Sequence, residues 1–212
     1  MSDDATILIA TLAGRARAAA RHLAGLSDER KSAALLSTAD MLRQATSDIL
    51  EANALDLERG RRNGLSDAML DRLRLDEVRI EGIAAAVATV ADLADPVGQV
   101  IDTAERPNGL VLSRVRVPIG VIGIIYESRP NVTADAAALC VRSGNAVILR
   151  GGSEAVESNR VIHAAFVRGL EATGLPSDAV QLVPTTDRAA VGALLAAAGA
   201  IDLIIPRGGR SL

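Results

Sequence analysis

From residue 119 onward, short apolar runs alternate with segments of helical character, and this alternation constrains the fold more than any other feature. Residues 119–125 carry no charged or polar side chain. Such a run is typical of a strand that is buried on both faces of a sheet. Three further β-prone runs follow at 146–149, 180–183 and 202–205, with helical segments between them. This repeated βαβ order predicts a parallel sheet with right-handed crossovers, and therefore an α/β fold.

Residues 1–95 carry the signals of helix starts and stops. Ser27, Ser66 and Asp76 each precede a helical pattern, and we predict that they cap the N-termini of three helices. Asn63-Gly64 is predicted to end the helix that begins near residue 47. We therefore expect an N-terminal helical segment that needs another element to cover its apolar side.

Residues 96–118 change to a strand-like period. Two β-prone stretches flank the turn signal at residues 106–109. Arg114, Val115, Arg116 and Val117 alternate polar and apolar, which predicts a β-hairpin with one exposed face. We consider two roles for this excursion, an oligomerisation element and an ordinary surface hairpin.

Composition narrows the class of protein. Aromatic residues make up only 1% of the chain, so the core must rest on Ala, Leu, Val and Ile, which favours closely approaching helices. With net charge −3 and no basic stripe, we expect no nucleic-acid partner. No apolar run has membrane-spanning length, the N-terminus lacks the basic start of a signal peptide, and Cys140 is the single cysteine. We expect a cytoplasmic protein without disulfides or a membrane partner.

Three segments follow the predicted strands and are rich in Gly, Pro or Arg: residues 126–131, 150–153 and 206–210. In open α/β sheets, ligands bind beyond the C-terminal ends of the strands. Glycine lets the backbone approach a ligand and arginine supplies charge, so these segments suit a phosphate. Neither the G-x-G-x-x-G fingerprint nor the P-loop pattern is present. The residues alone therefore predict a nucleotide- or anion-binding α/β domain.

Five longer motifs resemble the γ-glutamyl phosphate reductases of the aldehyde dehydrogenase superfamily. They lie at residues 63–73, 93–101, 117–133, 143–153 and 204–209, so the resemblance covers essentially the whole chain. It implies a Rossmann-like parallel sheet that is incomplete here. Under this interpretation, residues 1–95 form the helical part of the cofactor domain, 96–118 the hairpin, and 119–212 a truncated dinucleotide-binding part.

The resemblance also implies an activity. These enzymes reduce L-glutamyl 5-phosphate to L-glutamate 5-semialdehyde with NADPH and release phosphate, in proline biosynthesis. Their nucleophilic cysteine lies in a catalytic domain beyond the residues present, and we expect Cys140, in an apolar helix, to be buried and inert. We therefore expect this chain to be inactive alone. The resemblance also leads us to expect that the complete enzyme is a homo-oligomer. The alternative is a non-catalytic remnant that binds a nucleotide or a partner protein.

Candidate cofactor residues follow from the same resemblance. Arg150 is predicted to bind the 2′-phosphate of NADP(H), because its guanidinium suits bidentate phosphate contacts, with a surface arginine as the alternative. Ser153 and Thr186 are also predicted as helix N-caps. The predicted cofactor-binding residues are Arg150, Gly151, Ser153, Glu154, Pro184, Thr185, Arg207, Gly208 and Gly209.

Candidate residues on the substrate side lie just after the first buried strand. Asn131 is near the position of an asparagine that donates to the developing oxyanion in the superfamily, with a turn-stabilising role as the alternative. Arg129 is a candidate for the substrate carboxylate or phosphate, with Glu127 orienting it; the alternative is a salt bridge between the two. His22 and His163 lack ligand-spaced partners, so no metal site is predicted.

Overall fold

The structure is a computed structural model that describes residues 3–208. Its first part consists of five helices, as the sequence predicted. Ser27, Ser66 and Asp76 accept hydrogen bonds from backbone N–H groups at the starts of α2, α4 and α5, which confirms the three predicted caps. The helices are α1 (Asp3–Leu23), α2 (Asp28–Gln44), α3 (Thr46–Arg62), α4 (Asp67–Leu73) and α5 (Glu77–Ala91).

A two-stranded antiparallel hairpin follows, formed by β1 (Val100–Glu105) and β2 (Val111–Val115). Every residue of both strands is exposed, so the prediction of a single exposed face is wrong. The alternation of polar and apolar side chains is present, but the side chains on both faces of the hairpin are exposed.

Two buried basic residues bind the segment that leads into this hairpin. Lys31, the only lysine, is fully buried and lies 2.5 Å from the carboxylate of Asp95. Arg142, also buried, donates through Nε to the carbonyl of Leu93 at 2.7 Å. The hairpin therefore leaves the body of the protein from a fixed point.

The second sheet has four parallel strands in the order β5-β4-β3-β6. It confirms the predicted α/β class and the strand–helix alternation. Its elements are β3 (Val121–Tyr126), α6 (Asn131–Arg142), β4 (Ala146–Arg150), α7 (Val156–Ala172), β5 (Val180–Leu182), α8 (Arg188–Ala196) and β6 (Leu203–Arg207). β6 is an edge strand of the described part and is largely exposed, and Pro206 in it suits an edge position.

The helices form layers around this sheet. α6 and α7 cover one face, whereas α1 and α8 contact each other on the opposite face. α2, α3 and α5 form an outer layer on α6 and α7. The N-terminal helices therefore share one continuous core with the sheet, built of Ala, Val, Leu and Ile around the two aromatic residues Tyr126 and Phe166.

Candidate functional site

The direction of chain progression across the sheet reverses at β3. From β3 the chain moves to β4 and β5 on one side, and then returns to add β6 on the other side of β3. A crevice forms at such a switch point, beyond the C-terminal ends of the two strands. Tyr126 and Arg207 are register partners at these ends, so the segments that follow β3 and β6 border the crevice.

A cleft of about 370 Å³ lies at this point, and we call it the switch-point cleft. It is lined by Arg72, Tyr126, Glu127, Arg129, Val132, Arg207 and Gly208. The structure thus brings together Glu127, Arg129, Arg207 and Gly208, which the sequence predicted as site residues. Arg72 of α4 was not predicted.

Tyr126 lines the cleft, and its hydroxyl has a structural role. Its hydroxyl lies 2.7 Å from Oγ1 of Thr133, which in turn donates to Oδ1 of Asn159 at 2.9 Å. Burial raises the pKa of Tyr126 to about 12. The phenol therefore stays protonated at neutral pH and ties β3 to α6 and α7.

The predicted substrate-side residues lie at the start of α6. The backbone N–H of Arg129 donates to the carbonyl of Glu127 at 2.6 Å, but the described residues contain no ion pair between their side chains. The predicted mutual salt bridge is therefore wrong. Asn131 lines an adjoining cleft of about 460 Å³, and its amide nitrogen donates to Asp135 at 2.9 Å.

Two further clefts lie beyond β4 and β5. The smaller, of about 50 Å³, includes Gly151, Pro184 and Thr185 in its lining. The larger, of about 420 Å³, includes Arg59, Ser153 and Glu154, and the two clefts share Val156 and Thr186. Most of the predicted cofactor residues therefore gather at one edge of the sheet.

Other groups approach the backbone closely at residues 151 and 152. A Cβ on Gly151 would collide with the amide of Asn159, and one on Gly152 would lie 2.6 Å from Oε2 of Glu154. Glu154 is itself held by Oγ of Ser128 at 3.0 Å and Oγ of Ser153 at 2.9 Å. The loop after β4 is therefore packed tightly onto the loop after β3.

Arg150 holds the backbone at this edge. Its guanidinium donates to the carbonyl of Gly151 at 2.9 Å and to that of Thr186 at 2.7 Å. Burial, opposed by Glu154 and reinforced by Arg188, lowers the pKa of Arg150 from its usual value. Its Nε is buried and has no hydrogen-bond partner among the residues described.

The N-terminal caps of α7 and α8, at this edge of the sheet, differ from the predicted ones. Ser153 lies in a 3-10 turn before α7 and donates to Glu154, so it is not the cap of that helix. Asp187, not Thr186, caps α8 by accepting from the N–H of Ala189 at 2.8 Å. Both predictions were wrong because α7 begins two residues, and α8 one residue, later than the pattern indicates.

The cap of α7 comes from α3, a contact that sequence reasoning missed. Asp56, which is fully buried, accepts from the N–H of Ser158 at 2.8 Å, from its hydroxyl at 2.8 Å and from the N–H of Glu157 at 3.2 Å. Asn53, one turn earlier, is also buried and contacts Ser158. The signal in the sequence was a pair of polar residues at i and i+3 on the apolar side of a helix.

Cys140 is buried, and burial raises the pKa of its thiol to about 12. The predicted burial of Cys140 is therefore confirmed, and a buried thiol with a raised pKa is a poor nucleophile at neutral pH. Within residues 3–208 there is no group of three or more His, Cys, Asp or Glu side chains that could hold a metal ion. No helix in that range is long and apolar enough to cross a membrane. The predicted cofactor residue Gly209 lies outside the described residues.

Known proteins resemble the chain along its whole length. It is 66% identical over 212 residues to a γ-glutamyl phosphate reductase of Novosphingobium aromaticivorans, matching 100% of this chain and 50% of the relative. It is 58% identical over 207 residues to one of Zymomonas mobilis, matching 98% and 48%. The chain therefore spans about half the length of the curated relatives it matches.

Solved structures resemble it as well. The crystal structure of a γ-glutamyl phosphate reductase from Thermotoga maritima superposes with a TM-score of 0.94 at 42% identity, covering 97% of this chain and 49% of that one. An acetylating aldehyde dehydrogenase from Geobacillus thermoglucosidasius, at 16% identity and a TM-score of 0.76, shares the fold over 100% of this chain and 44% of its own. The family model described as "Aldehyde dehydrogenase family" matches residues 5–212. The chain therefore belongs to the aldehyde dehydrogenase family.

Proposed function

We propose that the chain contributes the cofactor-binding part of a cytoplasmic enzyme that reduces L-glutamyl 5-phosphate to L-glutamate 5-semialdehyde with NADPH and releases phosphate, a step in proline biosynthesis. The observation that carries the proposal is the switch-point cleft at the edge of a parallel sheet, where three arginines line a site that suits an anionic ligand. High identity to proteins named γ-glutamyl phosphate reductase supports the choice of substrate. The nicotinamide cofactor would supply the hydride that reduces the acyl group to the aldehyde, once a nucleophile has displaced the phosphate.

The residues beyond β4 and β5 fit the adenosine end of NADP(H). Arg188 lies close enough to Arg150 to lower the pKa of Arg150, and two neighbouring cations suit a 2′-phosphate. Gly151, Ser153 and Glu154 would border the adenosine ribose, with Pro184 and Thr185 beside the base. The buried Nε of Arg150 still lacks an acceptor within the described residues, which a phosphate oxygen would provide.

The residues beyond β3 and β6 fit the reacting end. Arg207 and Gly208, with Gly209, would border the cofactor there, and Arg129 and Glu127 would face the acyl substrate. Asn131 is the candidate oxyanion donor, with one amide hydrogen already committed to Asp135. The acyl group needs a nucleophile other than the buried Cys140.

Arg150→Ala is expected to weaken NADPH binding at least about tenfold, because hydrogen bonds to charged groups contribute about 1.5–3 kcal/mol. NADH binding should fall less, since NADH lacks the 2′-phosphate. The measurement is titration of nucleotide fluorescence with the purified 212-residue chain. Arg168→Ala, an exposed arginine near the other end of α7, is the matched control and should change neither affinity. An equal loss for both nucleotides would contradict the 2′-phosphate role, and wild-type chain that binds neither nucleotide would contradict the proposed function.

We propose further that the hairpin joins copies of this chain into a homo-oligomer. A two-stranded hairpin alone in water is marginally stable at best, and this one exposes Val100, Val111, Leu112 and Val115 with no described element covering them. A second copy would cover these side chains. The variant Val111→Lys/Leu112→Lys should shift the sedimentation equilibrium toward the 21.9 kDa monomer, whereas Ile7→Lys, an exposed apolar residue on α1, should not. A wild-type chain that is monomeric throughout would contradict this role.

A further inference from the structure

Two arginines from different elements border both clefts on the substrate side. Arg72 and Arg129 line the switch-point cleft of about 370 Å³ and also the adjoining cleft of about 460 Å³. Arg72 lies on α4 and Arg129 follows β3, so the fold brings them together across 57 positions of sequence. They therefore stand where the two clefts meet.

Neither guanidinium is committed to another group within residues 3–208. Both side chains are exposed and take part in no hydrogen bond or ion pair there. Arg79, which lines the adjoining cleft, differs because it bonds to the carboxylate of Asp71 at 2.9 Å and to the carbonyl of Arg74 at 2.8 Å. Arg207 adds a third cation to the switch-point cleft, against the single carboxylate of Glu127. The excess positive charge in a concave site attracts an anion.

The position of Arg72 is held by a buried anchor. Asn53, which is 1% exposed, donates to the carbonyl of Leu73 at 2.8 Å and accepts from the N–H of Leu75 at 2.8 Å. Leu73 and Leu75 are themselves buried, so the backbone next to Arg72 is fixed from inside. A binding group on a fixed backbone loses less conformational entropy when its ligand arrives.

We propose that Arg72, together with Arg129, forms a subsite for an anionic group of the acyl substrate. This inference rests on the proposed function, in which the substrate carries a phosphate and a carboxylate. Both groups present oxygens that match the two parallel N–H donors of a guanidinium. Arg72 is then a specificity-determining residue that selects an acyl compound with a charged group over a neutral one.

The test is isothermal titration of the purified 212-residue chain with inorganic phosphate and, separately, with glutarate as a carboxylate probe, at constant ionic strength. Arg72→Gln is expected to lower the affinity for the probe that the subsite accepts at least about tenfold, as loss of a charged hydrogen-bond pair implies. Arg129→Gln should give a similar loss, and Arg72→Lys, which keeps the charge without the paired donors, an intermediate one. Arg61→Gln, an exposed arginine on α3 that lines neither cleft, is the matched control.

The pattern of losses identifies the group that binds. Loss for phosphate alone assigns the subsite to the phosphate, loss for glutarate alone assigns it to the carboxylate, and loss for both assigns a general anion subsite. Unchanged affinity for both probes in Arg72→Gln and Arg129→Gln, with circular dichroism showing intact folds, overturns the proposal, as does a wild-type chain that binds neither probe. NADPH affinity is measured on the same samples, so failure of the subsite is distinguished from failure of the proposed function.

Discussion

Gly169→Ala is expected to lower the free energy of unfolding by about 1–3 kcal/mol or more, as overpacking of a close contact does. Gly169 on α7 faces α2, where an added Cβ would lie 2.5 Å from Oγ1 and 2.6 Å from the backbone nitrogen of Thr38. Backbone atoms cannot move aside as the end of a flexible side chain can. The two helices must therefore separate, and the buried side chains between them lose contacts.

Gly14→Ala is the matched control for this prediction. Gly14 is exposed on α1, and nothing lies within 4 Å of an added Cβ. The same chemical change there should stabilise the protein by about 0.5–1 kcal/mol, because alanine favours the helix. Urea unfolding followed by circular dichroism measures both variants. Equal effects of the two substitutions would show that α2 and α7 do not approach as closely as described.

Asp56→Ala is expected to lower the free energy of unfolding by about 1–3 kcal/mol or more, because it leaves buried hydrogen-bond donors at the start of α7 without an acceptor. The carboxylate accepts from two backbone N–H groups and one hydroxyl at the start of α7, and no other described side chain caps that helix. Without it, Ser158 keeps a buried hydroxyl and N–H with no acceptor. Burial raises the pKa of Asp56, but both of its oxygens act as acceptors, as in an ionised carboxylate.

A control variant and an intermediate variant test this second prediction. Glu51→Ala removes an exposed acid from the same helix and should change the free energy of unfolding by less than about 0.5 kcal/mol. Asp56→Asn keeps one carbonyl acceptor and should fall between the two. Thermal unfolding by calorimetry gives the comparison. A loss in Asp56→Ala no larger than in Glu51→Ala would mean that water or another group caps α7.

Much of the fold could be predicted from local pattern. The apolar run before Tyr126 predicted β3, and the predicted caps Ser27, Ser66 and Asp76 mark true helix starts. These features depend on neighbours within a few residues, which one sequence displays directly. The parallel sheet followed from them, because strand–helix alternation has few topological solutions.

The candidate site could be predicted only in outline. Segments after β3, β4 and β6 were identified because parallel strands end at one edge of a sheet. The position of Arg72 at the site could not be predicted, because its helix lies far from these segments in sequence. The hydrogen bond from Arg150 to the carbonyl of Thr186 could not be predicted for the same reason, because it joins residues that lie 36 positions apart.

In the hairpin, a local pattern predicted burial that the structure does not show. Alternating side chains on β2 predicted one covered face, yet both faces are exposed. Alternation records which side chains share a face, whereas burial depends on whether another surface meets that face. Residues 3–208 supply no such surface.

By itself, the sequence determined the order and kind of the elements, the aliphatic core and the edge of the sheet at which the candidate site lies, because hydrophobic period, caps and glycines act over short distances. Only the tertiary structure decided that Asp56 caps α7, that Gly169 meets Thr38, and that Arg72 and Arg129 line the same clefts. These arrangements bring together residues between 57 and 131 positions apart. Each depends on how packed helices orient particular side chains, which local pattern does not specify.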